Sequence, residues 1–70
     1  MSKATTERLV YMANQIANAF RTQPEVAAVA ATADHIAKFW DPRMRTMIAA
    51  HLEAGGEGLN AIARQALLGD

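Results

Sequence analysis

Apolar residues recur along this chain at the three- and four-residue spacing of a helix face, and no competing strand pattern is present. The pattern predicts an all-α fold, a small bundle of three to four short helices over about 6–21, 24–40, 42–53 and 59–68. In the first segment Leu9, Met12, Ala13, Ile16 and Phe20 form the stripe that must be covered. Thr5 or Thr6 is placed to cap it, and Glu7 suits the positive end of a first turn. Pro24 stops it, because the residue before a proline avoids the helical region.

In the second segment Val26, Val29, Ala30, Ala33, Ile36, Ala37 and Trp40 share one face at a/d-like spacing. Ala28, Thr32, His35 and Phe39 form a second stripe. A helix with aromatics on two faces is expected to contact two things, its own bundle and another chain. Asp41 and Pro42 open the third segment, whose apolar face holds Met44, Met47, Ile48 and His51. Asp accepts hydrogen bonds from the free N–H groups of a first turn, and proline fits the first helical position, where its missing N–H would be unpaired anyway. Gly55 is placed for a left-handed helix cap, and the Gly-rich run at 55–58 reads as a flexible break. Leu59, Ile62, Ala63 and Ala66 give the fourth segment its apolar side, and Gly69 ends it. With no internal repeat or low-complexity tail, residues 1–70 read as a single small domain.

Composition makes that core lean. Alanine supplies sixteen of the thirty-six apolar residues, which leaves twenty larger ones. A domain of this size buries only about 60% of its unfolded surface. With no cysteine and no zinc-like cluster, neither disulfide nor metal is expected to staple it. A partner that binds only the folded form would stabilise it by mass action.

Seven basic residues balance seven acidic ones, and no polybasic tract exists, so nucleic acid and anionic membrane are poor expectations for the main partner. The longest uncharged run, Leu9 to Phe20, is interrupted by Asn14, Gln15 and Asn18 and is too short and polar to span a bilayer. The first eight residues lack the basic start and apolar run of a secretory signal, so the expected location is cytoplasmic.

Catalytic chemistry finds little material. Asp34 and His35 are neighbours on one helix, so their side chains diverge by about 100° and do not form an orienting pair. His51 on an apolar face reads as a structural histidine. Ser2 is the only serine and cysteine is absent, which removes the common nucleophiles. The glycine run lacks the preceding strand and the Lys-Ser/Thr of a phosphate loop. No catalytic, metal-binding or cofactor-binding residue is therefore expected on this chain.

Partner contact finds more. Phe39-Trp40-Asp41-Pro42-Arg43-Met44-Arg45 gathers the single Trp with two arginines in a first helical turn. The positive helix end disfavours cations there by roughly 0.3–1 kcal/mol each. Trp40 and Met44 are expected to pack the bundle and Asp41-Pro42 to set the corner. Phe39, Arg43 and Arg45 are left to face a partner, and His35 shares the stripe of Phe39. Tyr11, Asn14, Gln15 and Asn18 form a neutral hydrogen-bonding side on the first helix, read as a further partner contact. The rival reading is a small DNA-binding protein, with the second and third helices as a helix-turn-helix and Arg43 and Arg45 at the start of the recognition helix.

Three stretches resemble the delta subunit of the soluble, NAD-dependent, molybdenum- or tungsten-containing formate dehydrogenases. They are Leu9 to Ala17, Ala33 to Arg45, and, more weakly, Gly55 to Leu59 with the helix that follows. The resemblance implies a non-catalytic accessory subunit that docks on the catalytic alpha subunit, with beta and gamma subunits in the complex. It implies that molybdopterin guanine dinucleotide with Mo or W, iron–sulfur clusters and FMN are carried by those other chains. It further implies a role in assembly, cofactor maturation or stability.

Overall fold

Each helix is set by how its free terminal groups are met. The computed structural model describes residues 3–69, with side chains from Thr5 onward; Met1, Ser2 and Asp70 lie outside the described residues. The elements are α1 (Lys3–Ala19), α2 (Glu25–Phe39), α3 (Pro42–Glu53) and α4 (Ala61–Leu68), an all-α fold with no strand among the described residues.

At α3, Pro42 occupies the first turn and the Asp41 carboxylate accepts from the Met44 N–H at 2.9 Å. At α4 the Asn60 side chain accepts from the Ala63 N–H at 2.8 Å. The sequence pattern started this helix at Leu59; Asn60 is instead its cap, and Leu59 is buried in the preceding loop. At α2, Pro24 caps through its backbone carbonyl alone, which accepts from the Ala28 N–H at 2.9 Å.

The start of α1 differs from the expectation. It is already helical at Lys3, so Thr5 and Thr6 lie within its first turns and do not cap it, and Glu7 is clear of the first turn. Its far end tightens before Pro24 is reached. Phe20 and Arg21 N–H groups donate to Ala17 and Asn18 carbonyls at 3.1 and 3.3 Å, a three-residue spacing that closes the last turn. At the end of α3, Gly55 donates to Leu52 and Gly56 to His51, the paired bonds of a Schellman cap. Both glycines have positive φ, +125° and +64°.

The core joins Leu9, Ala13 and Ala17 of α1 to Ile36, Trp40, Ile48, Leu59 and Ala63, with Met12, Ile16, Met44 and Met47 packed against it. The buried side of α2 is rotated from the one the pattern suggested. Val26 is 84% exposed and Ala30 and Ala37 are exposed, while Ala28 and Thr32 of the second stripe are fully buried. The buried face runs Ala28, Thr32, Ile36, Trp40.

The reason is the neighbour. α2 packs most extensively on α4, whose buried residues are Ala63 and Ala66. Small side chains on both helices let the backbones approach closely, so side-chain size marks the wrong face for burial. The Thr32 hydroxyl donates to its own helix at the Ala28 carbonyl, 2.8 Å away, and so enters the seam without an unmet polar group. α2 and α3 do not pack on each other, but α1 packs on both and so does α4. That arrangement departs from the paired helices of a helix-turn-helix.

Candidate functional site

Tyr11 and Gln15 lie one turn apart on α1, and His35 and Phe39 one turn apart on α2. Where α1 packs on α2, these four residues and Met12, Ile16, Trp40 and Met44 line one open groove of about 420 Å³. Trp40 is buried and closes the floor; Met12, Ile16 and Met44 are half-buried beside it. The rims are the exposed aromatics, Tyr11 at 63% and Phe39 at 70%. Phe39 does not swing freely, because the His35 ring lies 4.6 Å from it, centroid to centroid, at 39°. Four residues singled out in the sequence for partner contact are thus brought together: Tyr11, Gln15, His35 and Phe39. Met12 and Ile16, assigned only to the core stripe, are half-buried and line the groove as well.

The other four sequence-selected residues are placed elsewhere. Asn14 is turned to the Gly-rich loop: its Nδ2 donates to the Gly58 carbonyl at 2.8 Å, and its Oδ1 accepts from the Asn60 N–H at 2.9 Å. Asn18 accepts from the Asn60 side-chain amide at 3.4 Å. Arg43 and Arg45 are exposed and two positions apart on α3, so they point to nearly opposite sides. Arg45 lines a separate cleft of about 270 Å³ with Ala33, Ala37, Ile48, Ala49 and Leu67, away from Phe39. Asp34 and Lys38 form an i,i+4 ion pair at 3.1 Å on the surface.

The loop at 55–58 has more anchors than its composition suggests. His51 Nε2 bonds the Glu57 carbonyl at 2.8 Å; a carbonyl can only accept, so this nitrogen carries the proton. The Arg64 guanidinium donates to the Gly55 and Gly56 carbonyls at 3.2 and 3.0 Å. Together with Asn14 these side chains tie α1, α3 and α4 to one loop. Asn60 was the signal available in the sequence, as a good capping residue just before an apolar run.

Among the described residues no three His, Asp or Glu side chains gather as a metal site, and no helix is long and apolar enough to cross a membrane. The sequence matches the NADH-dependent formate dehydrogenase delta subunit family, FdsD, over residues 8–67. The chain belongs to this family. The matched stretch contains the groove, the Asp41-Pro42 corner and the anchored loop. As a delta-subunit family member, the chain is a component of a formate dehydrogenase complex and has protein partners there. No curated protein and no solved structure matches it significantly.

Proposed function

We propose that this chain is a non-catalytic accessory subunit that docks on the catalytic alpha subunit of a formate dehydrogenase complex, beside its beta and gamma subunits. It aids assembly, cofactor maturation or stability there. The observation that carries the reading is the open groove edged by Tyr11 and Phe39, in a chain of the delta-subunit family. Large exposed aromatics beside a sizeable apolar depression are typical of an interaction site. In this reading formate oxidation, NAD+ reduction, the molybdopterin guanine dinucleotide, the iron–sulfur clusters and FMN belong to the other chains. Thiolates are the usual ligands of such clusters, and this sequence has none to offer.

The test is co-purification from cells that produce the whole complex in the cytoplasm. Phe39→Ala and Arg43→Glu are expected to lower recovery with the alpha subunit. Wild-type recovery and full formate-dependent NAD+ reduction in both would overturn the docking site. Stoichiometry in the mature, active enzyme separates two roles: retention indicates a structural subunit, and loss indicates a maturation factor.

A further inference from the structure

We infer that the groove between α1 and α2 receives the apolar face of a helix of the catalytic subunit, and that this helix carries carboxylates along its flanks. The inference rests on the docking reading above and specifies what docks.

Apart from the His35 imidazole the lining carries no charge: Tyr11, Met12, Ile16, Phe39 and Met44 present rings, thioethers and an alkyl group around buried Trp40, and Gln15 adds one amide. An apolar anchor gains by entering such a space, whereas a charged one would lose hydration without a counter-ion. The two methionines can reshape to fit it. The walls exclude strand addition. Both are helices whose backbone groups bond within their own turns, so no sheet edge is available to pair with an extended segment. A helix meets its own backbone bonds and needs only side-chain complementarity from the groove.

The charge of the occupant follows from the rim. Arg8 lies three and four residues before Tyr11 and Met12, on the same side of α1. Arg43 lies next to Met44 at the α3 end of the groove. Both are exposed, and neither has an ionic partner among the described residues. Of the nearby carboxylates only Asp41 leaves its charge at the groove's edge. Asp34 pairs with Lys38, Asp41 caps α3, and Glu7 lines a different depression with His51. What remains near the groove, toward the start of α1 and the α2–α3 corner, is the positive charge of Arg8 and Arg43 against the one carboxylate of Asp41.

The experiment titrates the purified chain against the formate dehydrogenase complex prepared without it, at low and high salt. Phe39→Ala is expected to weaken binding about tenfold or more at both salts, as for a central aromatic anchor. Arg8→Glu and Arg43→Glu are each expected to weaken it about two- to fivefold at low salt, with the effect fading at high salt. Arg21→Glu, on the turn after α1, serves as the control and is expected to bind like wild type. A photo-cross-linking residue at position 39 is expected to capture a segment with apolar residues at three- and four-residue spacing and Asp or Glu beside them.

The outcomes separate the two readings. If the wild-type chain binds neither this complex nor the alpha subunit made without its cofactor, the docking reading itself fails. If it binds and Phe39→Ala binds equally well, docking occurs elsewhere and only the groove inference is overturned. If Phe39→Ala weakens binding while both arginine variants match Arg21→Glu, the occupant is not acidic. Capture of a basic or extended segment, or a Phe39-dependent homodimer in sedimentation, also overturns the inference.

Discussion

Asn14→Ala tests whether this side chain belongs to the fold or to an interface. Its amide makes two bonds, to the Gly58 carbonyl at 2.8 Å and from the Asn60 N–H at 2.9 Å, each joining residues more than forty positions apart. A net contribution of about 1 kcal/mol per bond gives about 2 kcal/mol for the pair. The Asn60 N–H sets the upper end. It lies just outside α4 in a partly buried position, so losing its acceptor adds a desolvation penalty where water cannot replace the amide. Gly58 sets the lower end, since its exposed carbonyl regains water. For a domain of this size about 2 kcal/mol corresponds to a fall in Tm of about 8–16 °C.

The assay is thermal and urea unfolding of the chain followed by helical circular dichroism, with Asn18→Ala measured beside it. Asn18 makes one exposed bond of 3.4 Å, and its removal is expected to change Tm by about 2 °C or less, well under a kilocalorie per mole. Asn14→Asp keeps the acceptor for Asn60 but loses the donor to Gly58, so it is expected to fall between wild type and Asn14→Ala. Equal stability of Asn14→Ala and Asn18→Ala would refute the reasoning. It would return Asn14 to the surface role that its neutral, hydrogen-bonding neighbourhood suggests.

Gly56→Ala is expected to lower stability by about 1–2 kcal/mol, because φ is +64° and a Cβ would sit 2.9 Å from Arg64 Nη1 and 3.1 Å from Leu52 Cδ1; unchanged urea midpoints would contradict it. Asp41→Ala removes the side-chain cap of α3 and is expected to cost about 1 kcal/mol, with Asp41→Asn or Asp41→Ser recovering most of it in the same unfolding assay. Trp40→Ala opens the core where the groove floor lies and is expected to cost about 3–5 kcal/mol, which for so small a domain shows as loss of the cooperative transition. Phe39→Ala is expected to leave Tm within about 2 °C of wild type, since the ring is 70% exposed, and a larger fall would mean that it supports the bundle.

Local chemistry announced the helix boundaries best. Asp41-Pro42 and Gly55-Gly56 each meet the requirements of a particular helix end, and those requirements involve only residues within a few positions. The face of α2 was harder to read. Val26 and Val29 are larger than Ala28 and Thr32, and a pattern weighted by size turns them inward. Burial there is decided by how near α4 comes, which is a property of two segments together. The same limit explains Asn14, whose partners at Gly58 and Asn60 are distant in sequence. At the groove the sequence supplied Tyr11, Gln15, His35 and Phe39 as separate candidates; their common edge depends on how α1 and α2 cross.

The seam between α2 and α4 also sets how the protein responds to temperature. Ala28, Thr32, Ala63 and Ala66 bring little apolar area out of water compared with a seam of leucine and isoleucine. The heat-capacity change of unfolding scales with that area, so this seam contributes little curvature to the stability curve. Its stabilisation depends on close fit, and fit has no tolerance for growth. One added methyl pair, as in Ala28→Val, would wedge the helices apart at every temperature, where a softer, larger-residue seam could repack. The bundle is therefore thermally even-tempered along this edge and sterically brittle at the same place.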